Sequence, residues 1–581
     1  MVYNMQTQGA CDMSKKAKLL ATRKEFLSGA AAVGAAPFIR TWGADGDKPL
    51  WKAGLMTDTH VKTTMESCSR VRAACELFAK HGVDLVVNCG DIADLYYPSG
   101  FQALRKVYTE TFKVKKPEEL WVYANHDRVR RDSEPWQEVM KDVQRLLGAP
   151  NGPWASIDFK GYPLIVVPQW MDFDKAKKML DEACAKYPGK PVFVFDHIPP
   201  QATTDSSITW GSSERRKFYS KYPRAVVFTG HAHGSLRSEL NIWQGAFTTV
   251  SLGCLSSWGG HAVGGAPRSK PSYDVALMEV YSNRLVIRRF DVRNGEEYTD
   301  APVWTIPLPF KPATAPYRRE RTSASEPVPQ FASGAKLSAE VKGDPCERLE
   351  ISFPKAEGPH GVYIYRLEIE DDKGCKLARQ DEFGQFWQPS HERQPMLTYS
   401  LSSGYFDAGR TYRIVVTPVN CFGVGGRPIS AEVKAVRSDG ALLWESVDPM
   451  KECRFMAGLS GGKPVPVKDG WYQMSGGNHR MEMPPEVWKG KAGTRFRFVV
   501  DLEMEQPGTR TWTIVLRNPD PLKNANARIA TPRGKSGKQR YVIEFAKQGD
   551  DFRYYLLIRE GEAGRLRINY ARLERLPEKT Q

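Results

Sequence analysis

The sequence predicts an α/β domain followed by two all-β sandwich domains, and three observations carry that expectation. Residues 50–300 alternate short apolar, β-branched runs with stretches of helical periodicity, the pattern of a layered, largely parallel α/β core. Residues 311–335 are rich in Pro, Ala, Ser and Arg and lack periodicity, which is the composition of a linker. Beyond them only short strand-like runs remain, with no helix of convincing length. A chain of 581 residues also exceeds what one hydrophobic core supports, since single cores stop growing near roughly 250–300 residues.

The first segment, 1–46, reads as a targeting signal. Lys15, Lys16, Lys18, Arg23 and Lys24 precede the apolar run FLSGAAAVGAAPF from Phe26 to Phe38, which is too short to span a bilayer. The string TRKEFL resembles a twin-arginine export signal, with Lys24 where a second arginine is usual. The protein is therefore expected to be exported (periplasmic, cell-surface or secreted), with no transmembrane anchor.

Residues 47–310 form the α/β domain. AGLMT, DLVVNCG, LWVYAN, PLIVVPQ, PVFVFDH and AVVFTGH are its strand candidates, and Val71, Cys75 and Phe78 recur at helical spacing between the first two. FTTVSLG and YDVALMEVYSNRLVIRRFDV add strands of antiparallel character. After the linker, residues 336–437 read as a sandwich, with Tyr363, Tyr365, Leu367 and Ile369 alternating along one strand. Tyr412, Asn420 and Gly423 in FDAGRTYRIVVTPVNCFGVGG resemble the end of a fibronectin type III domain. Residues 438–581 resemble a jelly-roll or galactose-binding-like sandwich. There Trp444, Trp471, Trp488 and Trp512 suit either a glycan-stacking platform or, as the weightier reading, the sandwich core.

Composition narrows the partners. An apolar content of 41% with 26% charged residues excludes fibrous, collagen-like and wholly disordered classes. A net charge of +16 favours anionic partners. A nucleic-acid partner is not expected, because no arginine-rich stripe with interleaved aromatics accompanies the motifs below. The ten cysteines contain no C-x-x-C pair, which argues against a zinc ribbon, and Cys346, Cys375 and Cys421 are disulfide candidates if the chain is exported.

Five strings carry chemistry: Asp58-Thr59-His60, Gly90-Asp91, Asn125-His126-Asp127, His197, and Gly230-His231-Ala232-His233. Each follows an apolar strand run, so each belongs at the carboxyl edge of a sheet, where ligands bind in open α/β folds. Five of the ten histidines fall inside them. Two carboxylates, one amide oxygen and four imidazoles are oxygen and nitrogen donors suited to Mn, Fe, Zn or Co. Seven donors exceed one ion, whereas two ions sharing a bridging carboxylate fit the count.

The ordered set D-x-H, G-D, N-H-D, H, G-H-x-H over residues 50–295 resembles the calcineurin-like metallophosphoesterase superfamily. That resemblance implies a four-layer sandwich of mixed sheets flanked by helices and two divalent or mixed-valence ions. Asp58, His60 and His233 would hold the first ion and Asn125, His197 and His231 the second, with Asp91 bridging. It further implies that a metal-bridging hydroxide attacks phosphorus, that His126 acts as the catalytic histidine, and that Asp127 is its supporting carboxylate. Ala124 stands where the family usually has glycine.

Within the superfamily, Asp94 occupies the position of the metal-binding tyrosine of purple acid phosphatases. Gly90-Asp91-Ile92-Ala93-Asp94 and His197-Ile198-Pro199-Pro200 resemble instead the class III phosphodiesterase branch. A phosphodiester substrate is therefore expected. A phosphomonoesterase with the same site is the alternative, as is a surface glycan-binding or adhesion protein whose α/β domain is mainly scaffold. The loop after Pro200 and the segment after Cys254 are expected to border the substrate, with Trp210, Arg215 and Arg268 either binding it or solvated.

Overall fold

The computed structural model describes residues 48–578 except 63–64, 95–97, 128–135, 206, 257–272, 299–301, 319–327, 343–347, 359–360, 386–387, 389–391, 408, 435–439, 458–464, 475–476, 505–512, 518–525, 531–536, 548, 551–554 and 561–563. The targeting segment, Cys346, Trp512, Arg268 and most of the segment after Cys254 lie outside the described residues. No helix among the described residues is long and apolar enough to cross a membrane.

Two mixed sheets make the α/β domain. The first contains β1 (Trp51–Met56), β2 (Leu85–Asn88) and β3 (Glu118–Trp121), all parallel. The second begins with β4 (Ala155–Phe159), β5 (Tyr162–Val166), β6 (Val192–Phe195) and β7 (Ala225–Thr229), followed by β8 (Ile242–Gln244) and β9 (Thr248–Ser251). The chain then returns to the first sheet through β10 (Asp274–Val280), β11 (Arg284–Asp291), β12 (Glu296–Glu297) and β13 (Trp304–Pro307). The strand orders are β12-β11-β10-β1-β2-β3, with β13 beside β11, and β4-β5-β6-β7-β9-β8. Strands β5, β6, β7 and β9 are parallel. These inner strands are buried on both faces, so they read as continuous apolar runs without alternation.

The sheets stack face to face. Trp51, Leu55, Val87, Phe193, Phe228 and Met278 meet between them. On the outer face of the first sheet lie α1 (Met65–Lys80), α2 (Pro98–Thr111) and α3 (Trp136–Leu147), packed through Val71, Phe78, Leu104 and Met140. The second sheet is covered by α4 (Phe173–Lys186) and, after the short α5 (Ser207–Trp210), by α6 (Ser213–Tyr219). The layer order is helix, sheet, sheet, helix. Strands β4, β8 and β13 are too short or too polar to announce themselves in the sequence.

The expected linker 311–335 makes contacts near both of its ends. Tyr317 accepts a hydrogen bond at its carbonyl from the Gln244 amide (2.9 Å) and at its hydroxyl from the Thr305 amide (2.7 Å). Phe331 packs against Phe353 and Tyr365 of the following domain. One aromatic at each end suffices to dock a segment whose composition otherwise reads as solvated chain.

Beyond it, a three-stranded sheet (Ser338–Lys342, Arg348–Pro354, Met396–Ser402) faces a four-stranded one (Lys376–Phe383, Ile364–Glu370, Thr411–Val419, Ile429–Lys434). Leu349, Ile351, Tyr365, Leu367, Tyr412 and Ile414 fill the space between. The Tyr412 hydroxyl accepts from the Asp407 amide at 2.8 Å, and the Asn420 side-chain oxygen accepts from the amides of Phe422 and Val424. The last region holds a six-stranded and a five-stranded sheet. Trp488 lies in its core with Trp444 packed against that core, and the Arg567 guanidinium sits 5.1 Å from the centre of the Trp471 ring.

Candidate metal centre

The parallel strands of both sheets point their carboxyl ends at one place. The loops after β1, β2 and β3 deliver Asp58 and His60, Asp91, and Asn125 with His126, while those after β6 and β7 deliver His197, His231 and His233. Backbone pairing continues past the strands and sets the loops against one another. The Asp58 amide donates to the Gly90 carbonyl, the His60 amide to that of Asp91, and the Gly230 amide to that of His197, at 2.9–3.0 Å.

Asp58, His60, Asp91, His231 and His233 all have left-handed backbone, with φ between 40° and 65°. Nine non-glycine residues among those described do so, and five are in this site. Each such residue costs of order 1–3 kcal/mol, so the concentration marks a place where convergence of side chains outweighs local comfort. Gly230 permits the closest approach: a Cβ there would come within 2.0 Å of Thr57 Oγ1 and 2.4 Å of Asp58 Oδ2.

Asp91 stands between two groups of donors. Its Oδ2 lies 3.8 Å from His60 Nε2 on one side and 3.2 Å from His197 Nε2 on the other. Asp58 Oδ1 is 2.9 Å from His233 Nε2 and 3.8 Å from His60 Nε2. Ligand atoms of Asp58, His60, Asp91 and His233 lie within 4.8 Å of one another, as do those of Asp91, His197 and His231. The arrangement is of the binuclear type and suits divalent ions. Asn125 fits it too, because its side-chain oxygen is buried with no hydrogen-bond partner among the described residues, a state that costs free energy unless a cation accepts the lone pair. The His197 Nδ1–H donates to the Cys89 carbonyl at 2.8 Å, leaving Nε2 to coordinate.

Electrostatics agree with a cation site. Burial pushes His60 down to about 4, and burial with His197 nearby does the same for His231, so both imidazoles are neutral donors near pH 7. Burial works against charge on His197 as well, yet the Asp91 carboxylate outweighs it and holds that imidazole at about 9. Asp91 in turn lies well below the carboxylate range, His197 more than offsetting its burial.

His126 is half-buried beside this cluster, its ring 4.6 Å from that of His60. Its Nδ1 is 3.3 Å from Asp94 Oδ1, and that contact raises its pKa against the effect of burial. Here the structure differs from the expectation that Asp127 supports the His126 ring. The Asp127 carboxylate is consumed by backbone amides, with Oδ1 accepting from Ile92 (2.7 Å) and Ala93 (3.1 Å) and Oδ2 from Ala124 (2.8 Å). It pins the Asp91 loop to the Asn125 loop, and Asp94 is the partner of the imidazole. Asp94 is itself bound by Lys62, whose Nζ is 3.1 Å from Oδ2.

Arg215 is not a solvated loop residue but lies in α6. It is buried, donating from Nε to Asp196 Oδ2 (2.8 Å) and from Nη2 to the Gln169 carbonyl (2.7 Å). Because Gln169 Oε1 accepts from the Asn125 amide at 2.8 Å, Arg215 ties the His197 strand end to Asn125. Nothing in the spacing of Asp94, Asp127, Arg215 and Gln169 marks these partnerships. The one available signal was an acidic residue, Asp94, three positions after Asp91.

Residues 52–235 match the family model described as Calcineurin-like phosphoesterase. No curated protein matches the chain. Similar solved structures include a dimetal phosphatase from Danio rerio, at 12% identity over 45% of this chain and 100% of that one, with a TM-score of 0.30. A purple acid phosphatase from yellow lupin is 12% identical over 44% of this chain and 53% of that one, with a TM-score of 0.34. A 5′-nucleotidase precursor from Thermus thermophilus is 16% identical over 46% of this chain and 56% of that one, with a TM-score of 0.25. The chain carries a calcineurin-like metallophosphoesterase domain at residues 52–235 and is a metal-dependent phosphoesterase.

Proposed function

We propose that this protein is an exported dinuclear phosphoesterase that hydrolyses a phosphodiester. The observation that carries the dinuclear reading is the Asp91 carboxylate, set between the nitrogens of His60 and His197. Asp58, His60 and His233 would hold one ion, Asn125, His197 and His231 the other, and Asp91 both. Bound ions, with Mn, Fe or Zn matching the donor set, neutralise charge on the phosphoryl oxygens and lower the pKa of water at the site.

The chain's own residues do the rest. His126, whose pKa the Asp94 carboxylate raises, donates its proton to the departing alkoxide. Asp127 and Gln169 hold the loops that place His126 and Asn125. No covalent intermediate with the protein is required.

Support for a diester comes from cation supply. A monoester dianion asks for positive charge beyond the two ions, yet Arg215 is committed to Asp196. Lys62 is the observation favouring the monoesterase alternative, since it stands beside Asp94 and half-exposed. Side-by-side kinetics on bis-(p-nitrophenyl) phosphate and p-nitrophenyl phosphate with Mn²⁺ decide between them, a higher kcat/KM on the monoester overturning the diester reading. Export rests on the basic-then-apolar segment of residues 15–38, and N-terminal sequencing of the mature protein tests it. Residues 336–437 and 438–581 are read as fibronectin type III-like and jelly-roll-like sandwiches, the former supported by the Tyr412 hydroxyl reaching back to the Asp407 amide. A glycan or other surface ligand for the last domain is a further proposal, testable by glycan-array binding.

A further inference from the structure

Alternation along residues 363–369 of the first sandwich puts Tyr363, Tyr365, Leu367 and Ile369 on one face. Tyr365, Leu367 and Ile369 fill the sandwich core, but Tyr363 does not. It lies with Ile364, Val419 and Cys421 in a separate buried cluster, against which Leu240 of the α/β domain packs. The sandwich fixes its backbone, the Tyr363 amide donating to the Val419 carbonyl (2.8 Å) and its carbonyl accepting from the Gly384 amide (2.9 Å). The hydroxyl leaves the sandwich and donates to Oδ2 of Asp205, a buried carboxylate of the α/β domain, at 3.4 Å.

Asp205 stands where the loops after His197 and His233 meet. Its amide donates to the Leu240 carbonyl at 3.1 Å, and a Cβ on Gly234, the neighbour of His233, would fall 3.2 Å from Asp205 Cβ. Asn241 Nδ2 closes the second loop by donating to the Ser235 carbonyl at 2.6 Å. The first loop is fastened along its length. Pro200 and Ser212 form a parallel bridge, Ser207 Oγ accepts from the amides of Thr203 (2.9 Å) and Thr204 (3.0 Å), and Arg216 Nη1 donates to the carbonyls of Gln201 and Ala202. That loop carries the Trp210 ring edge-on to the ring of His231, 5.9 Å between centroids. A constraint applied at Asp205 therefore reaches His233 through Gly234 and His231 through Trp210. Both histidines have left-handed backbone, which persists only where the surroundings over-determine it.

We propose that Tyr363 is a positioning residue for the metal centre, acting through Asp205 on the loops that carry His231 and His233, so that the first sandwich is a working part of the catalytic unit. The inference rests on the dinuclear reading of the site. A hydroxyl bonded to a carboxylate away from water rigidifies what it joins, and here it joins two domains beside the imidazoles that must converge.

The test uses the full-length protein loaded with Co²⁺, whose visible absorption bands report how the donors are placed around the ions. Tyr363→Phe keeps the ring in its cluster and removes only the hydroxyl. Its kcat on whichever p-nitrophenyl ester the wild type prefers should fall about three- to thirtyfold, with KM within about twofold, and the Co²⁺ bands should shift. Ile351→Val loosens the same sandwich from within its core and should change neither kcat nor the bands. A kcat within about twofold of wild type in Tyr363→Phe, unmoved Co²⁺ bands, or an equal loss in Ile351→Val would overturn the positioning role. Failure of the underlying reading looks different: the wild-type protein itself would bind fewer than two Co²⁺ ions and hydrolyse neither ester.

Discussion

Two clusters of largely buried charge in this chain are built to opposite ends. Where the two sandwiches meet, Arg497, Arg540 and Arg572 face Asp407, Asp501, Glu544 and Glu574. Arg540 takes Asp501 in a two-pronged pair at 2.8 and 3.0 Å, and Arg540 and Arg572 both reach Asp407 Oδ1, at 2.9 and 3.0 Å. Arg497 bridges Glu544 and Glu574. None of these seven residues has left-handed backbone. At the metal centre, by contrast, five donors sit at positive φ, the Asn125 oxygen has no hydrogen-bond partner among the described residues, and acids and imidazoles crowd around shared points. Buried charges that complete one another make a clamp. Buried donors that converge with lone pairs to spare make a binding site.

The sharpest way to break that contrast is Asp91→Ala. Activity should fall to background and bound metal to about half or less, because both ions lose a ligand; metal analysis showing full occupancy with normal turnover would remove the bridging role. His126→Ala comes next. Turnover should drop about 10²–10⁴-fold on a poor leaving group and less on an activated phenol, with metal content unchanged. A loss equal on both leaving groups points to orientation in place of proton donation.

Metal uptake should depend on pH. In the metal-free protein His197 keeps its proton up to about 9, so an ion must displace it, and affinity should fall by up to about tenfold per unit as pH drops below that value. Calorimetric titration at pH 6 and 8 in buffers of different ionisation enthalpy reads the released proton directly. Asp94→Asn removes the carboxylate that raises His126, so the alkaline limb of the pH–rate profile should move to lower pH. An unmoved limb would mean that Asp94 does not govern His126.

The smallest effect on catalysis belongs to the clamp. Asp407→Ala should leave kcat and metal content unchanged while lowering the denaturant stability of the sandwich pair by about 2 kcal/mol, below the figure for a fully buried pair because Asp407 is 32% exposed. Any loss of metal in that variant would show that the two clusters are not independent.

Which residues arrive at the site can be read from the amino-acid order alone. An apolar run ending in a polar string is a strand end, and parallel strands in stacked sheets bring those ends to one edge, so Asp58, His60, Asp91, Asn125, His197, His231 and His233 were legible as a set. The composition break near 311 likewise marked where α/β periodicity stops, though not that Tyr317 and Phe331 dock its two ends. Partnerships between strand ends emerge only in the folded chain: Asp94 with His126, Asp127 with three backbone amides, Arg215 with Asp196, and Trp210 against His231. Periodicity reports which side of an element faces the core. It carries no information about the direction a side chain takes from a left-handed turn, and at this site that direction is set by hydrogen bonds between loops far apart in the chain.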